Sequence, residues 1–285
     1  MASLQDIRRR IKSVKNIQQI TNAMNMVATS RLRRAKEAAL NNKPYAEKTR
    51  EVIAEIAANA KGVKHPLLEV REEGKKLLLV LAADKGLAGA YSSNVMKETL
   101  THIEDKANTE IVAVGRKSNE YFKNRGYNVV ESFTGVSERP KYENAKEIAD
   151  YVISKFKDGE IKEVVMVYSR FVSAITCIPE PVRLLPFTSD EKEEAEQTLK
   201  REYIYEPSAE EVLAALLPQY LVTVIYAAML QAAASELSSR MNAMSNATDN
   251  AGELIAKLDL HYNKVRQAGI TNEINEIVGG ANALA

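Results

Sequence analysis

The stretch LSSRMNAMSNATDNAGELIAKLDLHYNKV, residues 237–265, decides the fold of this chain. Its apolar and small residues recur with alternating steps of four and three, which is the spacing of a coiled-coil seam. The seam positions are Leu237, Met241, Met244, Thr248, Ala251, Ile255, Leu258, Tyr262 and Val265. A helix with an apolar stripe needs a partner that covers the stripe. The stretch therefore predicts a long helix that is paired with another helix.

A second long stripe lies at the amino end of the chain. Its apolar residues fall into two sets with coiled-coil spacing, and the shortened step from Val14 to Ile17 predicts a stammer in the coil. The pattern returns after Pro44. We expect residues 1–60 to form an N-terminal shaft helix. The two sets are Leu4, Ile7, Ile11 and Val14, followed by Ile17, Ile20, Met24 and Val27.

The helical pattern resumes at residue 209 and predicts a C-terminal shaft helix over residues 209–285. Pro218 is expected to kink or restart this helix, because proline has no backbone N–H to donate. The apolar run 220–234 is shorter than the roughly 20 residues of a bilayer span, so it favours a buried helix. Near Gly269 the register is expected to slip, and the stripe continues through Ile270, Ile274, Ile277, Ala281 and Leu284.

The middle of the chain, residues 61–208, alternates short apolar runs with amphipathic stretches. Buried strands that alternate with helices are typical of a Rossmann-like α/β domain with a mainly parallel sheet. Residues 171–185 indicate one or two further strands at an edge, because prolines interrupt them. The predicted strands are 76–83, 110–115, 128–133 and 163–168, and the predicted helices are 90–106, 117–125 and 142–157.

These patterns together predict an α/β domain plus a long antiparallel coiled coil. Each terminal helix has an uncovered stripe, and the simplest partner for each is the other, so the two would form a shaft with the central domain as its foot. The net charge is +1, yet residues 1–36 carry +8 and residues 189–211 carry −6. Such polarity favours surfaces that meet partners of opposite charge.

No catalytic or metal-binding pattern stands out in the sequence. The segment DKGLAG at 84–89 follows a predicted strand, where phosphate loops occur, but it lacks the glycine spacing of a P-loop or a dinucleotide site. The segment GRKS at 115–118 is equally weak. The histidines lack the spacing of metal ligands; they are His65, His102 and His261. A nucleotide-binding α/β enzyme with a coiled-coil extension stays open as an alternative, because folding can assemble a site from distant residues.

The basic amino-terminal helix leaves a second alternative, a coiled-coil nucleic-acid scaffold. Arg31, Arg33 and Arg34 resemble a phosphate-binding face. The apolar seam continues between the basic clusters, however, so these charges lie on a helix that is already paired. Acidic protein loops are therefore the better partner.

Several motifs along the whole chain resemble those of ATP synthase gamma subunits. The segment ITNEINEIVGGANALA at 270–285 looks like the carboxyl-terminal signature of that family. The segment 84–89 is similar to the family's Asp-Arg-Gly-Leu-Cys-Gly, with Lys for Arg and Ala for Cys. Four further motifs fit the family: SRMNAM at 239–244, YNKVRQA at 262–268, IRRRIKSV at 7–14 and ITNAMNMV at 20–27.

The resemblance implies the central rotor shaft of a rotary, ion-translocating ATP synthase. Such a shaft transmits torque between the membrane c-ring and the catalytic alpha–beta hexamer, regulates ATPase activity and ion flow, and has no catalytic site, cofactor or metal of its own. The implied partners are the alpha and beta subunits, the epsilon subunit and the c-ring, with no nucleic acid. The implied location is the cytoplasmic side of the cell membrane, as a peripheral protein that meets the membrane through the c-ring.

The resemblance also assigns three sets of contact residues. The beta-subunit contacts would be Met24, Arg8, Arg9, Arg33, Arg240, Arg266, Gln267, Thr271 and Glu273. The bearing tip, which would turn in an apolar collar, would be Ile274, Ile277, Ala281 and Leu284. The contacts with the c-ring and epsilon would be Tyr203, Tyr205 and Glu206.

The single cysteine, Cys177, excludes an internal disulfide and fits a reducing compartment. Its apolar surroundings predict a buried residue. Chloroplast relatives carry a regulatory cysteine pair in an inserted loop, so one cysteine implies a bacterial type without a thiol switch.

Overall fold

This computed structural model describes residues 4–59, 65–187 and 208–284 and contains a long helix near each end of the chain and a sheet formed by the residues between them. Helix α1 spans Leu4–Asn59 and helix α5 spans Ala209–Leu284. A 3-10 turn lies at Pro66–Leu68. The remaining helices are α2 (Tyr91–Thr101), α3 (Arg116–Asn124) and α4 (Tyr142–Lys157).

The sheet has the strand order β3-β2-β1-β4-β5. Strands β1 to β4 are parallel to their neighbours, and β5 is antiparallel to β4. Pro179 and Pro181 lie in β5, where they fit because an edge strand can tolerate a residue without a donor. The mainly parallel sheet and its proline-containing edge strand are confirmed. The strands are β1 (Lys75–Leu81), β2 (Thr109–Val114), β3 (Asn128–Phe133), β4 (Ile161–Phe171) and β5 (Cys177–Leu185).

Helices cover both faces of the sheet, because alternate residues of a strand point to opposite faces. Leu77 and Leu79 of β1 belong to a core shared with α4 and the first half of α5. Leu78 and Val80 belong to a second core, shared with α2 and α3. These four side chains of the central strand β1 are fully buried, as expected for a parallel strand between two helical layers.

The apolar run of α5 is a core segment, as predicted. Leu217, Leu221 and Ile225 are fully buried there. By length and composition α5 is the one described helix that could cross a membrane, but half of its most apolar window is buried inside the protein. The core helix of a protein that crosses no membrane has the same properties.

The chain divides into two compact units. The first contains Met1–Ala28 and Met241–Ala285, and the second contains Thr29–Arg240. The second unit therefore includes the sheet, the end of α1 and the buried first half of α5.

Within the first unit, α1 and α5 run antiparallel. Arg8 contacts Tyr262, whereas Gln18 and Thr21 both contact Thr248, so the α5 partner moves back along the chain as α1 advances. All nine seam positions predicted for residues 237–265 are buried or half-buried. The predicted antiparallel pairing and the predicted seam of α5 are confirmed.

The predicted stammer in α1 is wrong. Ile17, Ile20 and Val27 are 50%, 59% and 51% exposed, so they do not face the partner helix. The least exposed positions instead keep steps of four and three without a break; they are Ile7, Ile11, Val14, Gln18, Thr21, Asn25 and Ala28. The sequence pattern misled because polar residues occupy seam positions, where Gln18 and Thr21 bond to Thr248.

Three smaller expectations are corrected. Of the kink or restart expected at Pro218, the restart is wrong: helix α5 continues through this residue, and buried leucines on both sides hold the helix against the core. The register does not slip near Gly269, which is half-buried at the next seam position, and the residues beyond it are exposed. Cys177 is half-buried and not buried, because it begins the edge strand β5.

Candidate functional site

The carboxyl ends of the parallel strands carry a polar site, and Asp84 joins its loops. Ser137, in the loop after β3, donates its backbone N–H to Asp84 Oδ2 at 3.0 Å, and its Oγ accepts from Asp84 N at 3.1 Å. Arg116 N, at the start of α3, donates to Asp84 Oδ1 at 3.1 Å. One carboxylate therefore fixes the loops after β1, β2 and β3 to each other.

Burial opposes ionisation of Asp84, but its hydrogen bonds outweigh that effect. Backbone N–H groups of Gly135, Ser137 and Arg116 donate to the carboxylate, and the pKa of Asp84 is lowered from its usual value. A carboxylate held in this way stays charged at neutral pH.

Beside this junction lies a group of charged residues that we call the carboxyl-edge cluster: Arg31, Lys85, Glu138, Glu236 and Arg240. Glu138 Oε2 accepts from Arg31 Nη1 of α1. Glu138 Oε1 accepts from Arg240 Nη1 of α5 at 3.3 Å and lies 3.4 Å from Lys85 Nζ. The side chain of Glu138 is 15% exposed, so these ion pairs are partly shielded from water.

Arg240 is the most connected cation of the cluster. Its Nη2 donates to Glu236 Oε1 at 2.7 Å and to the carbonyl oxygens of Lys85 and Gly86 at 3.5 and 3.3 Å. The side chains of Arg240 and Glu236 are 7% and 1% exposed. Burial raises the pKa of Glu236, although the neighbouring Arg240 partly opposes this effect.

A second face of α5 bonds to the end of the β4–β5 hairpin. Gln231 Oε1 accepts from Phe171 N at 3.2 Å, Ser235 Oγ donates to Ser169 O at 2.9 Å, and Ser238 Oγ donates to Ala174 O at 2.6 Å. The donors and acceptors lie four and three residues apart, so they share one side of the helix. This stretch of α5 is therefore fixed to the sheet by bonds as well as by apolar packing.

The loop at 84–89 and the N-terminus of α3 differ in their hydrogen bonding from a phosphate-binding site. Phosphate loops direct backbone N–H groups at the ligand, whereas the loop at 84–89 directs two carbonyl oxygens at the cation Arg240. The N-terminus of α3 already binds the carboxylate of Asp84. The loop thus binds a side chain of α5, and the predicted tight turn between strand and helix is what the structure contains.

In the described ranges, no group of three or more His, Cys, Asp and Glu residues is placed to hold a metal ion. His65 accepts at Nδ1 from Leu67 N, at 3.2 Å, and caps the 3-10 turn. His102 lies 3.2 Å from Glu98 on the same helix.

The paired helices of the first unit hold a further set of polar contacts. Thr248 Oγ1 donates to Thr21 Oγ1 at 2.8 Å. Arg8 Nε donates to Tyr262 Oη at 2.8 Å, and its guanidinium lies 5.2 Å from the ring centroid of the same residue. Polar residues at seam positions specify the register of a coiled coil, so these contacts favour one alignment of α1 and α5.

The end of α5 is exposed. Ile270, Ile274, Ile277 and Val278 are 50–71% exposed, and every side chain described from 270 to 282 lies in the exposed class. An isolated helix that exposes several large apolar side chains fits a site for a partner.

The residues predicted to contact beta subunits fall into three environments. Arg8 and Arg9 are exposed, with Arg8 bonded to Tyr262 and Arg9 paired with Asp6. Met24 is half-buried, and Arg240 is buried in the carboxyl-edge cluster. The others are exposed; they are Arg33, Arg266, Gln267, Thr271 and Glu273.

Of the predicted bearing tip, Ile274, Ile277 and Ala281 are exposed. The side chain of Leu284 lies outside the described ones, and so do the predicted foot contacts Tyr203, Tyr205 and Glu206. Most of the acidic segment 189–211 also lies outside the described residues.

Sequence reasoning missed several residues of the site. Glu138 is 107 residues from Arg31 and 102 from Arg240, and no local pattern links them. The spacing of Gln231, Ser235 and Ser238 was a signal, because three polar residues on one side of an otherwise apolar helix indicate specific partners.

Comparisons with known proteins agree with this architecture. A family model described as ATP synthase matches residues 3–284. The ATP synthase gamma chain of Desulforamulus reducens is 49% identical over 285 residues and covers 100% of both chains. The central stalk and c-ring structure of Tetrahymena thermophila mitochondrial ATP synthase has a chain with a TM-score of 0.62 and 25% identity, covering 80% of this chain and 99% of that one.

A chain in the Euglena gracilis mitochondrial ATP synthase structure gives a TM-score of 0.69 at 17% identity, covering 99% of this chain and 94% of that one. It shows the same fold. A mainly parallel sheet that holds two long terminal helices, paired antiparallel at their far ends, defines the central-stalk class of protein. The chain belongs to the ATP synthase gamma-chain family. It is a rotor-shaft subunit and a component of the membrane-associated ATPase complex.

Proposed function

We propose that this chain transmits torque between a membrane c-ring and an alpha–beta hexamer, and that it has no catalytic site of its own. The observation that carries the proposal is the antiparallel register of α1 and α5, in which Arg8 meets Tyr262 and Thr21 meets Thr248. Contacts that hold two helices in one register prevent them from sliding past each other. The pair therefore resists torsion better than a single helix would. Nucleotide binding and hydrolysis would then belong to the alpha and beta subunits.

The proposed beta-subunit contacts are the exposed polar residues of both helices. Arg9, Arg33, Arg266, Gln267, Thr271 and Glu273 present charges and amides to the surroundings. Exposed ion pairs contribute roughly 0–1 kcal/mol each, which suits contacts that are broken and remade as the shaft turns. Arg8, Met24 and Arg240 are less available, so we propose that they act mainly by setting the shape of the contact surface.

Apolar residues on α1 belong to the same proposed surface. Ile17, Ile20 and Val27 are about half exposed, although their spacing is that of a buried stripe. Since α5 does not cover them, a neighbouring subunit is the occupant we propose.

The exposed end of α5 is the proposed bearing. Ile274, Ile277 and Ala281 are small or aliphatic, and such contacts have no preferred direction. A collar of apolar residues would cover them without fixing one angle of rotation. Leu284 completes the proposed tip.

At the other end, we propose that the segment with Tyr203, Tyr205 and Glu206 meets the c-ring and that the α/β domain also binds epsilon. In this arrangement residues 1–60 and 209–285 are the shaft and residues 61–208 the foot. The chain would lie on the cytoplasmic side of the cell membrane, as a peripheral protein that reaches the membrane through the c-ring.

Site-specific crosslinking in the assembled complex tests the proposal. A photo-crosslinking residue at Ile20 or at Ile277 should give adducts with alpha or beta subunits. The same residue at the exposed Lys97 of α2 is the control and should give none with these two subunits. The chain alone should hydrolyse no ATP. Hydrolysis by the purified chain, or adducts with alpha and beta from position 97 only, would contradict the proposal.

A further inference from the structure

The carboxylate of Glu138 is shared among cations from three parts of the fold. Arg31 lies on α1, Arg240 lies on α5, and Lys85 lies in the loop after β1. Glu138 itself lies between β3 and α4. One side chain of the sheet domain therefore binds both terminal helices.

The backbone that carries Glu138 is firmly held. Its neighbour Ser137 exchanges two hydrogen bonds with Asp84, at 3.0 and 3.1 Å. Asp84 in turn accepts from Arg116 N at the start of α3. A force on the Glu138 carboxylate is thus passed to the loops at the ends of three strands.

The partner Arg240 is held equally well. It binds Glu236 four residues earlier on α5 and two carbonyl oxygens of the loop at 84–89. Hydrogen bonds that involve a charged group are roughly twice as strong as neutral ones, and the side chain of Arg240 is 7% exposed. Arg31 differs, because its side chain is 34% exposed and Glu138 is the acid that pairs with it.

We propose that Glu138 is a positioning residue for torque transfer. It holds Arg31 of α1 and Arg240 of α5 on the sheet domain, so that rotation of the domain turns both helices together. Without the charge of Glu138, α5 keeps the bonds of Arg240 to Glu236 and to the loop at 84–89, while α1 loses the ion pair of Arg31. The two helices then receive unequal force. This inference rests on the proposed torque function.

The substitution Glu138→Gln tests it, because glutamine keeps the shape and removes the charge. In the assembled synthase we expect ATP hydrolysis to persist and ion pumping per ATP hydrolysed to fall severalfold. Glu120→Gln is the matched control: Glu120 on α3 pairs with Lys117 at 3.0 Å and with Arg116 at 3.7 Å, and both of these cations lie on α3 itself. Its pumping ratio should equal that of the unmodified complex.

Hydrogen exchange on the full chain supplies a readout that does not depend on the complex. Amide hydrogens around Arg31 should exchange about tenfold faster in the Glu138→Gln variant, which corresponds to about 1.4 kcal/mol. Arg31→Gln should give the same acceleration, and the double variant should add little to either. Additive effects would show that the two residues act separately and would overturn the proposal.

The remaining outcomes are distinguishable. Normal pumping by Glu138→Gln in a complex that couples normally overturns this inference and leaves the torque function intact. An unmodified complex that fails to couple refutes the torque function instead. If the Glu138→Gln complex does not assemble, Arg31→Gln is measured in its place, because this variant leaves Glu138 paired with Arg240 and Lys85. A normal pumping ratio in Arg31→Gln then overturns the inference.

Discussion

Gly115 has a backbone conformation that an alanine cannot adopt without strain, and the structure allows the penalty to be worked out. Its φ is +97°, and a Cβ built there would lie 2.1 Å from Ala82 O and 2.8 Å from Ala82 C. Both are backbone atoms of the residue that follows β1, so neither can rotate away. The conformation costs about 1–3 kcal/mol and the steric overlap about 1–3 kcal/mol more. Gly115→Ala should therefore destabilise the second unit by about 2–6 kcal/mol.

Two other glycines serve as controls. Gly159 has φ +89° with nothing within 4 Å of a built Cβ, so Gly159→Ala should show the conformational penalty alone. Gly86 has open space and no positive φ, so Gly86→Ala should be neutral or stabilise by about 0.4–1 kcal/mol.

Thermal unfolding of the three variants is the assay. Each kcal/mol corresponds to about 2–4 °C in Tm for a unit of this size. The expected order of Tm is Gly86→Ala highest, Gly159→Ala next and Gly115→Ala clearly lowest. Equal Tm values for Gly115→Ala and Gly159→Ala would refute the close approach of Gly115 to Ala82 on which the carboxyl-edge site depends.

Two predictions concern pH. The folded-state pKa of Asp84 is below its usual 3.8, so the charged carboxylate stabilises the fold above pH 3.8, and this stabilisation is lost as the pH falls through the folded-state pKa. In Asp84→Asn the unfolding free energy should therefore decrease less at acid pH than in the unmodified chain. The pKa of Glu236 is above its usual 4.5, so the unfolding free energy should decline as the pH rises from 4.5 through the folded value, and Glu236→Gln should remove that decline. Denaturant titrations at a series of pH values measure both, and an unchanged pH profile in either variant would contradict the corresponding assignment.

The sequence was sufficient for features that repeat. The apolar runs mark the strands, with the observed bounds at 128–133, and the seam from Leu237 to Val265 matches the burial in the structure at each position. Periodicity works here because one face of each element must leave water over many residues.

Features that depend on single contacts were not predictable. The stripe of α1 was misassigned after Val14. The polar residues Gln18 and Thr21 face α5 there, because each forms a hydrogen bond with Thr248, while the isoleucines beside them remain exposed. Pro218 failed as a helix boundary because packing of the flanking leucines outweighs the lost hydrogen bond. Glu138 could not be found, because its partners are distant in the chain and its own loop has no pattern.

The antiparallel register of α1 and α5 is tested most directly by disulfide formation. Thr21→Cys and Thr248→Cys, with Cys177→Ala to remove the native thiol, replace two hydroxyl oxygens that lie 2.8 Å apart. The control pairs Thr21→Cys with Tyr262→Cys, which lies about 20 Å further along the helix. On oxidation the first pair should form an intramolecular disulfide and the control pair should not. A disulfide in the control pair, or none in the first, would contradict the paired shaft.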